Sequence, residues 1–162
     1  MNKKVFFIVQ ASIIAALYSA VTLVFAPISF GHNIFQLRVS EALTVLPALL
    51  SSSIPGLFVG CVISNIIGGF GPIDIIFGSL ATLIAAVASR SVRKYPLFVP
   101  LPPVVLNAII VGGYLKFIYF KDLPLAASIA WVGLGEFLAC YVLGLPLLLY
   151  LRKRTPGFML IK

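Results

Sequence analysis

Glu136 stands in the apolar run from Ala130 to Gly144 (AWVGLGEFLACYVLG), where no lysine or arginine accompanies it. A carboxylate in such surroundings takes up a proton or finds a ligand, with a plain hydrogen bond between helices as the bland use. Gly133 and Gly135 open space beside it, and Trp131 and Tyr141 offer aromatic surface. A second concentration of polar groups, Gln36, Arg38 and Glu41, lies in Phe35 to Pro47 (FQLRVSEALTVLP). Arg38 and Glu41 are three apart, so on one helix face they can pair and neutralise each other. Two readings of that pair stand side by side: a structural pair at the outer interface, or Arg38 fixing the segment while Glu41 or Gln36 faces a ligand. Asn107 and Asn65 are amides able to read a polar heterocycle, or to clasp two helices for about 0.6 kcal/mol. Asp74 follows a Gly-Gly-Phe-Gly-Pro turn, a position from which it is expected to cap the next helix.

These groups sit in sequence that is 61% hydrophobic and 10% charged, with a mean hydropathy of +1.14. That is more apolar surface than one 162-residue globule buries, so the natural solvent is lipid. An ionisable side chain at a bilayer centre costs about 2.5 to 3.5 kcal/mol, and therefore faces a protein interior or a watery cavity and usually serves function. The net charge of +8 does not point to nucleic acid, because the cations sit at the ends of apolar runs. Cys61 and Cys140 lie inside such runs without CxxC spacing or a nearby histidine, and read as buried free thiols.

The elements that must position the polar residues follow from the apolar runs and their Pro and Gly breaks. Helix 1 is expected from Val5 to Phe25, ahead of Pro27 and a polar loop, Ser29 to Asn33. It is longer than the apolar core of a secretory signal and reads as a retained helix. Helix 2 is expected from Phe35 to Leu50, helix 3 from the tight connection of Ser51 to Ser53, Pro55 and Gly56 to about Ile67, helix 4 from Ile73 to Ser89, helix 5 from the Pro100, Pro102, Pro103 cluster to Phe120, and helix 6 from Leu125 to Leu151. Helices 2 and 3 are short for a span of about 20 residues, and broken backbone at membrane depth is tolerated where it lines a cavity. No internal repeat emerges. Nine of the twelve cations (Lys3, Lys4, Arg90, Arg93, Lys94, Arg152, Lys153, Arg154, Lys162) fall on one side of this arrangement. Cytoplasmic loops carry the excess of Lys and Arg, so the expectation is an all-α integral membrane protein, one domain over 1–162, with six transmembrane helices and both termini cytoplasmic. Arg38, Glu41, Asp74 and Asp122 then lie toward the outside, at a polar site open to the exterior. Helix 1 carries small-residue steps at Ala11/Ala15 and at Ser12/Ala16/Ala20, which allow close approach by another helix, in the same chain or in a separate subunit.

Enzymatic readings find no support. His32 is the single histidine, placed in a loop, and the chain holds no HExxH, no GxSxG, no phosphate-binding loop and no acidic cluster for Mg²⁺. No cofactor is expected.

Several long blocks in order give the chain a likeness: Ala26 to Phe30 (APISF), Phe35 to Pro47, Ile54 to Cys61 (IPGLFVGC), Asp74 to Thr82 (DIIFGSLAT), Pro102 to Gly112 (PPVVLNAIIVG) and Gly133 to Leu147 (GLGEFLACYVLGLPL). In these, nearly the whole chain resembles the queuosine-precursor transporter family, substrate-binding (S) components of energy-coupling factor (ECF) transporters. The resemblance implies a six-helix protein of the bacterial cell membrane that captures a 7-deazaguanine such as preQ1 or preQ0 from outside. It further implies docking on a transmembrane coupling subunit driven by two cytoplasmic ATPases, with helix 1 contributing small residues at Ala11/Ala15 and Ala16/Ala20. A deazaguanine presents N1–H and a 2-amino group on one edge, which a carboxylate accepts together in a charge-assisted, bidentate arrangement. Glu136 is the first choice for that role. The adjacent carbonyl needs a donor, for which Asn107 or Asn65 is suited, or Arg38 if its pair with Glu41 opens. An aminomethyl cation on the ligand favours a second acid or an aromatic face, such as Glu41, Asp74, Trp131 or Tyr114. Closure is expected from the Ser29 to Phe35 loop and the Gly68 to Pro72 turn. Two readings from other classes remain: a proton-coupled secondary transporter working through Glu136 or Glu41, and a structural membrane subunit whose polar residues only clasp helices.

Overall fold

A computed structural model describes residues 2–29, 37–69 and 71–154, and the described chain is helical. Helix α1 (Lys3–Val24) opens with the Asn2 side chain accepting a hydrogen bond from the Lys4 amide at 3.1 Å, the usual way to satisfy an orphan amide at a helix start. A short α2 (Ala26–Ser29) follows. The next element, Val39–Ala48, is wound as a 3₁₀ helix and contains Pro47. Ten residues of 3₁₀ are unusual, and at about 2.0 Å per residue they reach only about 20 Å. Helix α3 (Ser53–Gly68) is ended by Gly69, whose φ of 71° is the left-handed conformation that glycine adopts without steric cost. A π-wound stretch, Asp74–Gly78, leads into α4 (Ser79–Ser91), and a 3₁₀ turn, Pro96–Phe98, precedes α5 (Leu101–Ile118). The final helix is α6 (Leu125–Phe137), a π-wound stretch (Leu138–Gly144) and α7 (Leu145–Arg154) in one continuous rod.

Four of these helical stretches are long and apolar enough to cross a membrane: Lys3–Val24, Asp74–Ser91, Pro96–Ile118 and Leu125–Arg154. The 3₁₀ segment and α3 are apolar but shorter, as Pro47 and the Gly-rich turn led one to expect. The outer surface agrees with a lipid solvent. Ile13, Leu17, Ile66, Ile84, Val105, Ile109, Val142 and Leu149 all point outward from their helices, a density of exposed aliphatics that water does not tolerate on a monomer.

Close backbone contact holds the bundle together. A Cβ on Gly56 would sit 2.7 Å from Ala11 O and one on Gly60 2.8 Å from Ala15 O, so α1 and α3 touch backbone to backbone. Gly144 does the same against Ala42 O, seating the 3₁₀ segment on the π-wound stretch of the last helix. The 3₁₀ segment is thereby an interior element: Ser40, Glu41, Thr44 and Val45 are all buried.

The cations mark one end. Arg152 donates through Nη2 to Arg93 O, and Arg90 Nη1 donates to Pro47 O at 2.9 Å. These bonds tie the ends of α4, α7 and the 3₁₀ segment together. Ser52 Oγ donates to Gln10 Oε1 at 3.1 Å, placing the start of α3 beside the first half of α1. Among the described residues, Ser52, Ser53 and Ser89 are the buried polar residues of this region, and none of the buried charged side chains bonds to them.

Candidate functional site

Three of the four acidic residues, Glu41, Asp74 and Glu136, are buried, and with them Arg38. Asp122 is exposed. Three elements, the 3₁₀ segment with Arg38 just ahead of it, the Asp74–Gly78 stretch and α6, carry the buried charges, and the two π-wound stretches lie at or beside them. One begins at Asp74, and the other begins two residues after Glu136 and contains Cys140. A π bulge re-aims side chains within a helix and recurs at functional sites.

On one side, Arg38 Nη2 lies 3.6 Å from Asp74 Oδ1, and Tyr114 donates its hydroxyl to the same Oδ1 at 2.6 Å. Asn65 Nδ2 donates to Asp74 O at 2.9 Å and contacts Cys61 Sγ at 3.5 Å. Phe77 backs Tyr114 with its ring centroid 6.5 Å away.

On the other side, Glu41 is fully buried. Tyr18 donates its hydroxyl to Glu41 Oε1, and Asn107 Nδ2 approaches Oε2 at 3.4 Å. Cys140 Sγ lies 3.8 Å from Glu136 Oε2 and donates to Glu41 O at 3.5 Å, with Thr44 Oγ1 3.6 Å away. Asn107 interacts with Glu136 as well as with Glu41. The charge of Arg38 acts on both carboxylates, which makes the two sides one electrostatic unit.

Several expectations change. Arg38 and Glu41 were expected to pair with each other, yet the ion pair joins Arg38 to Asp74. The reason is local: Arg38 precedes the 3₁₀ helix with φ −84° and ψ 89°, so it does not share a helix face with Glu41. Glu41 is an interior residue, fully buried. Asp74 does not cap the helix that follows; its carboxylate is taken by Tyr114 and Arg38. Asn65 was one of the groups suited to donate to a ligand carbonyl, and its Nδ2 donates to Asp74 O. Trp131 is 42% exposed and lies roughly 140° around the helix from Glu136, so it faces away from the cluster. Gln36, His32 and most of the Ser29 to Phe35 loop lie outside the described residues, as does Phe70 within the Gly68 to Pro72 turn.

On helix α1, Ala11 and Ala15 pack against α3, whereas Ala16 and Ala20 are exposed. Cys61 and Cys140 are free and buried. Tyr18, Thr44 and Cys140 join the site without having been expected there. The signal for Tyr18 was present, since it continues the stripe of Ala11 and Ala15 on the inward face of α1. Among the described residues, no three His, Cys, Asp or Glu side chains stand close enough to hold a metal ion.

A helical bundle with a lipid-facing exterior and a buried cluster of carboxylates, amides and one guanidinium defines an all-helical membrane protein with a polar interior. Residues 8–153 match the family described as QueT transporter, and the chain belongs to that family of queuosine-precursor transporters. No curated protein and no solved structure gives a significant match.

Proposed function

We propose that this chain is the substrate-capture subunit of an ATP-driven ECF importer, and that it binds a 7-deazaguanine such as preQ1 or preQ0 between Glu41, Asn107 and Glu136. The observation that carries the reading is the meeting of two buried carboxylates with one amide inside a lipid-facing bundle. A carboxylate accepts N1–H and the 2-amino group as a pair of charge-assisted bonds, stronger than neutral ones. Asn107 supplies an amide N–H for the adjacent carbonyl once it leaves Glu41. The Arg38–Asp74 pair and Tyr114 then frame the opposite edge. Glu136 is the better first contact, because Glu41 is already engaged by Tyr18.

In this reading the two short elements, Val39–Ala48 and Ser53–Gly68, complete six spans. The end carrying Lys3, Lys4, Arg90, Arg93, Arg152, Lys153 and Arg154 is cytoplasmic by the positive-inside rule, so both termini face the cytoplasm of a bacterial cell and the site opens outward. ATP hydrolysis belongs to two partner ATPases, coupled through a membrane subunit. The exposed Ala16 and Ala20 offer that subunit a smooth strip, continuous with the exposed Ser12.

The direct test is binding of preQ1 to the purified protein in detergent. A saturable signal that weakens in Glu136→Gln supports the assignment, and equal affinity in that variant removes it. One observation favours a second reading, a proton-coupled transporter: two carboxylates, Glu41 and Glu136, are both buried inside the lipid-facing bundle. Sustained uptake by the chain alone in liposomes under a pH gradient would favour that reading, and the importer reading predicts none without its partners.

A further inference from the structure

Gly78 has no backbone reason to be glycine. Its φ of −63° and ψ of −44° are ordinary helical values, and at such a position glycine is less stable than alanine. Nor does close packing demand it. The three heavy atoms nearest a Cβ built there are side-chain atoms: Asn65 Nδ2 at 3.5 Å, Tyr114 OH at 3.6 Å and Arg38 Nη1 at 3.8 Å. All three are ordinary contact distances, and all three atoms are polar. The missing side chain therefore leaves a small space bounded by the heads of three buried or half-buried polar residues.

One of those heads is half used. Asn65 is fully buried, and its Nδ2 donates to the Asp74 carbonyl, which fixes the orientation of the amide because a carbonyl accepts only from the NH2 side. Its Oδ1 accepts no hydrogen bond among the described residues. A buried carbonyl oxygen left without a donor is costly, and native structures seldom keep one without cause. Tyr114 spends its proton on Asp74, so its oxygen, 3.6 Å from the Cβ built on Gly78, has only acceptor capacity left.

We propose that Gly78 and Asn65 form a specificity subsite: Gly78 leaves the room, and Asn65 Oδ1 accepts an N–H from the edge of the ligand opposite the one held by the carboxylates. This rests on the same base-binding site as the proposed function, and adds a requirement for a second donor edge. A ligand that is all acceptor on that side leaves Asn65 Oδ1 unsatisfied and is rejected.

The test compares wild type with Gly78→Ala by thermal unfolding in detergent, first without ligand and then with preQ1 and a panel of purine and pyrimidine bases. Gly78→Ala is expected to keep or raise the ligand-free unfolding temperature, while losing at least tenfold in affinity for whichever base stabilises the wild type. A lower ligand-free unfolding temperature would show that Gly78 answers a packing need, and unchanged affinity would show that the space is not part of the site; either overturns the proposal. If preQ1 does not bind but another base does, the deazaguanine reading fails and the subsite is judged on that base. If no base binds the wild type, both are overturned.

Discussion

The two sides of the buried cluster hold their carboxylates by different means. Asp74 is met by a guanidinium and a phenol, while the hydrogen bonds to the Glu41 carboxylate come from the neutral Tyr18 and Asn107, and Glu136 is met by the Cys140 thiol. The first arrangement is matched in charge and suits a structural anchor that ties the segment before the 3₁₀ helix to the π-wound start of the Asp74–Ser91 stretch. The second is rich in acceptors and short of direct cationic contact, which suits a site completed by a ligand bearing donors. The difference teaches where removal of a side chain should harm folding and where it should harm binding.

The largest expected effect is on the anchor. Arg38→Met leaves Asp74 buried without its cation, a change that costs about 3 to 5 kcal/mol, and the variant should unfold far below wild type in a detergent thermal melt. Replacing both partners, Arg38→Met with Asp74→Leu, should recover most of that loss, since an apolar pair of similar volume is often neutral. Failure of the double variant to recover would mean that Arg38 serves chiefly Glu41 and Glu136. On the acceptor-rich side, Glu136→Gln should leave the unfolding temperature of the empty protein unchanged or higher. It should cost ligand affinity by a factor of about 10 to 150, the worth of a hydrogen bond to a charged group. The two tyrosines sharpen the comparison further. Tyr18→Phe leaves a fully buried carboxylate oxygen short of a donor and should cost about 1 to 3 kcal/mol. Tyr114→Phe should cost less, about 0.5 to 1.5 kcal/mol, because Arg38 remains on Asp74; the two melts side by side decide the order.

Much of the helical layout was legible in the chain itself. The first helix was expected over Val5 to Phe25 and runs Lys3–Val24, and the last was expected over Leu125 to Leu151 and runs Leu125–Arg154. Long apolar runs bounded by Pro, Gly and Lys/Arg leave little choice in lipid, where backbone groups must bond internally. The charged members of the polar cluster, Arg38, Glu41, Asp74 and Glu136, were legible as well, because charge in a chain this apolar needs a reason, whereas Tyr18, Thr44 and Cys140 were not picked out. The partners within it were not. Pairing Arg38 with Glu41 assumed one regular helix from Phe35, and the element instead starts at Val39 in a tighter winding that leaves Arg38 outside it. Asp74 looked like a cap because it follows a turn, but the π winding that begins there turns its carboxylate toward Tyr114. Such winding has no sequence signature that periodicity detects. Gly78 escaped notice for a related reason: its value lies in the side chains around it, which come from three other elements.

The central claim is that the acceptor-rich side of the cluster holds the ligand. Calorimetric titration of preQ1 into the purified wild type and into Glu136→Gln tests it most directly. The account predicts saturable binding to wild type and at least tenfold weaker binding to the variant, with no loss in its ligand-free unfolding temperature. Equal affinity in the two proteins would contradict it.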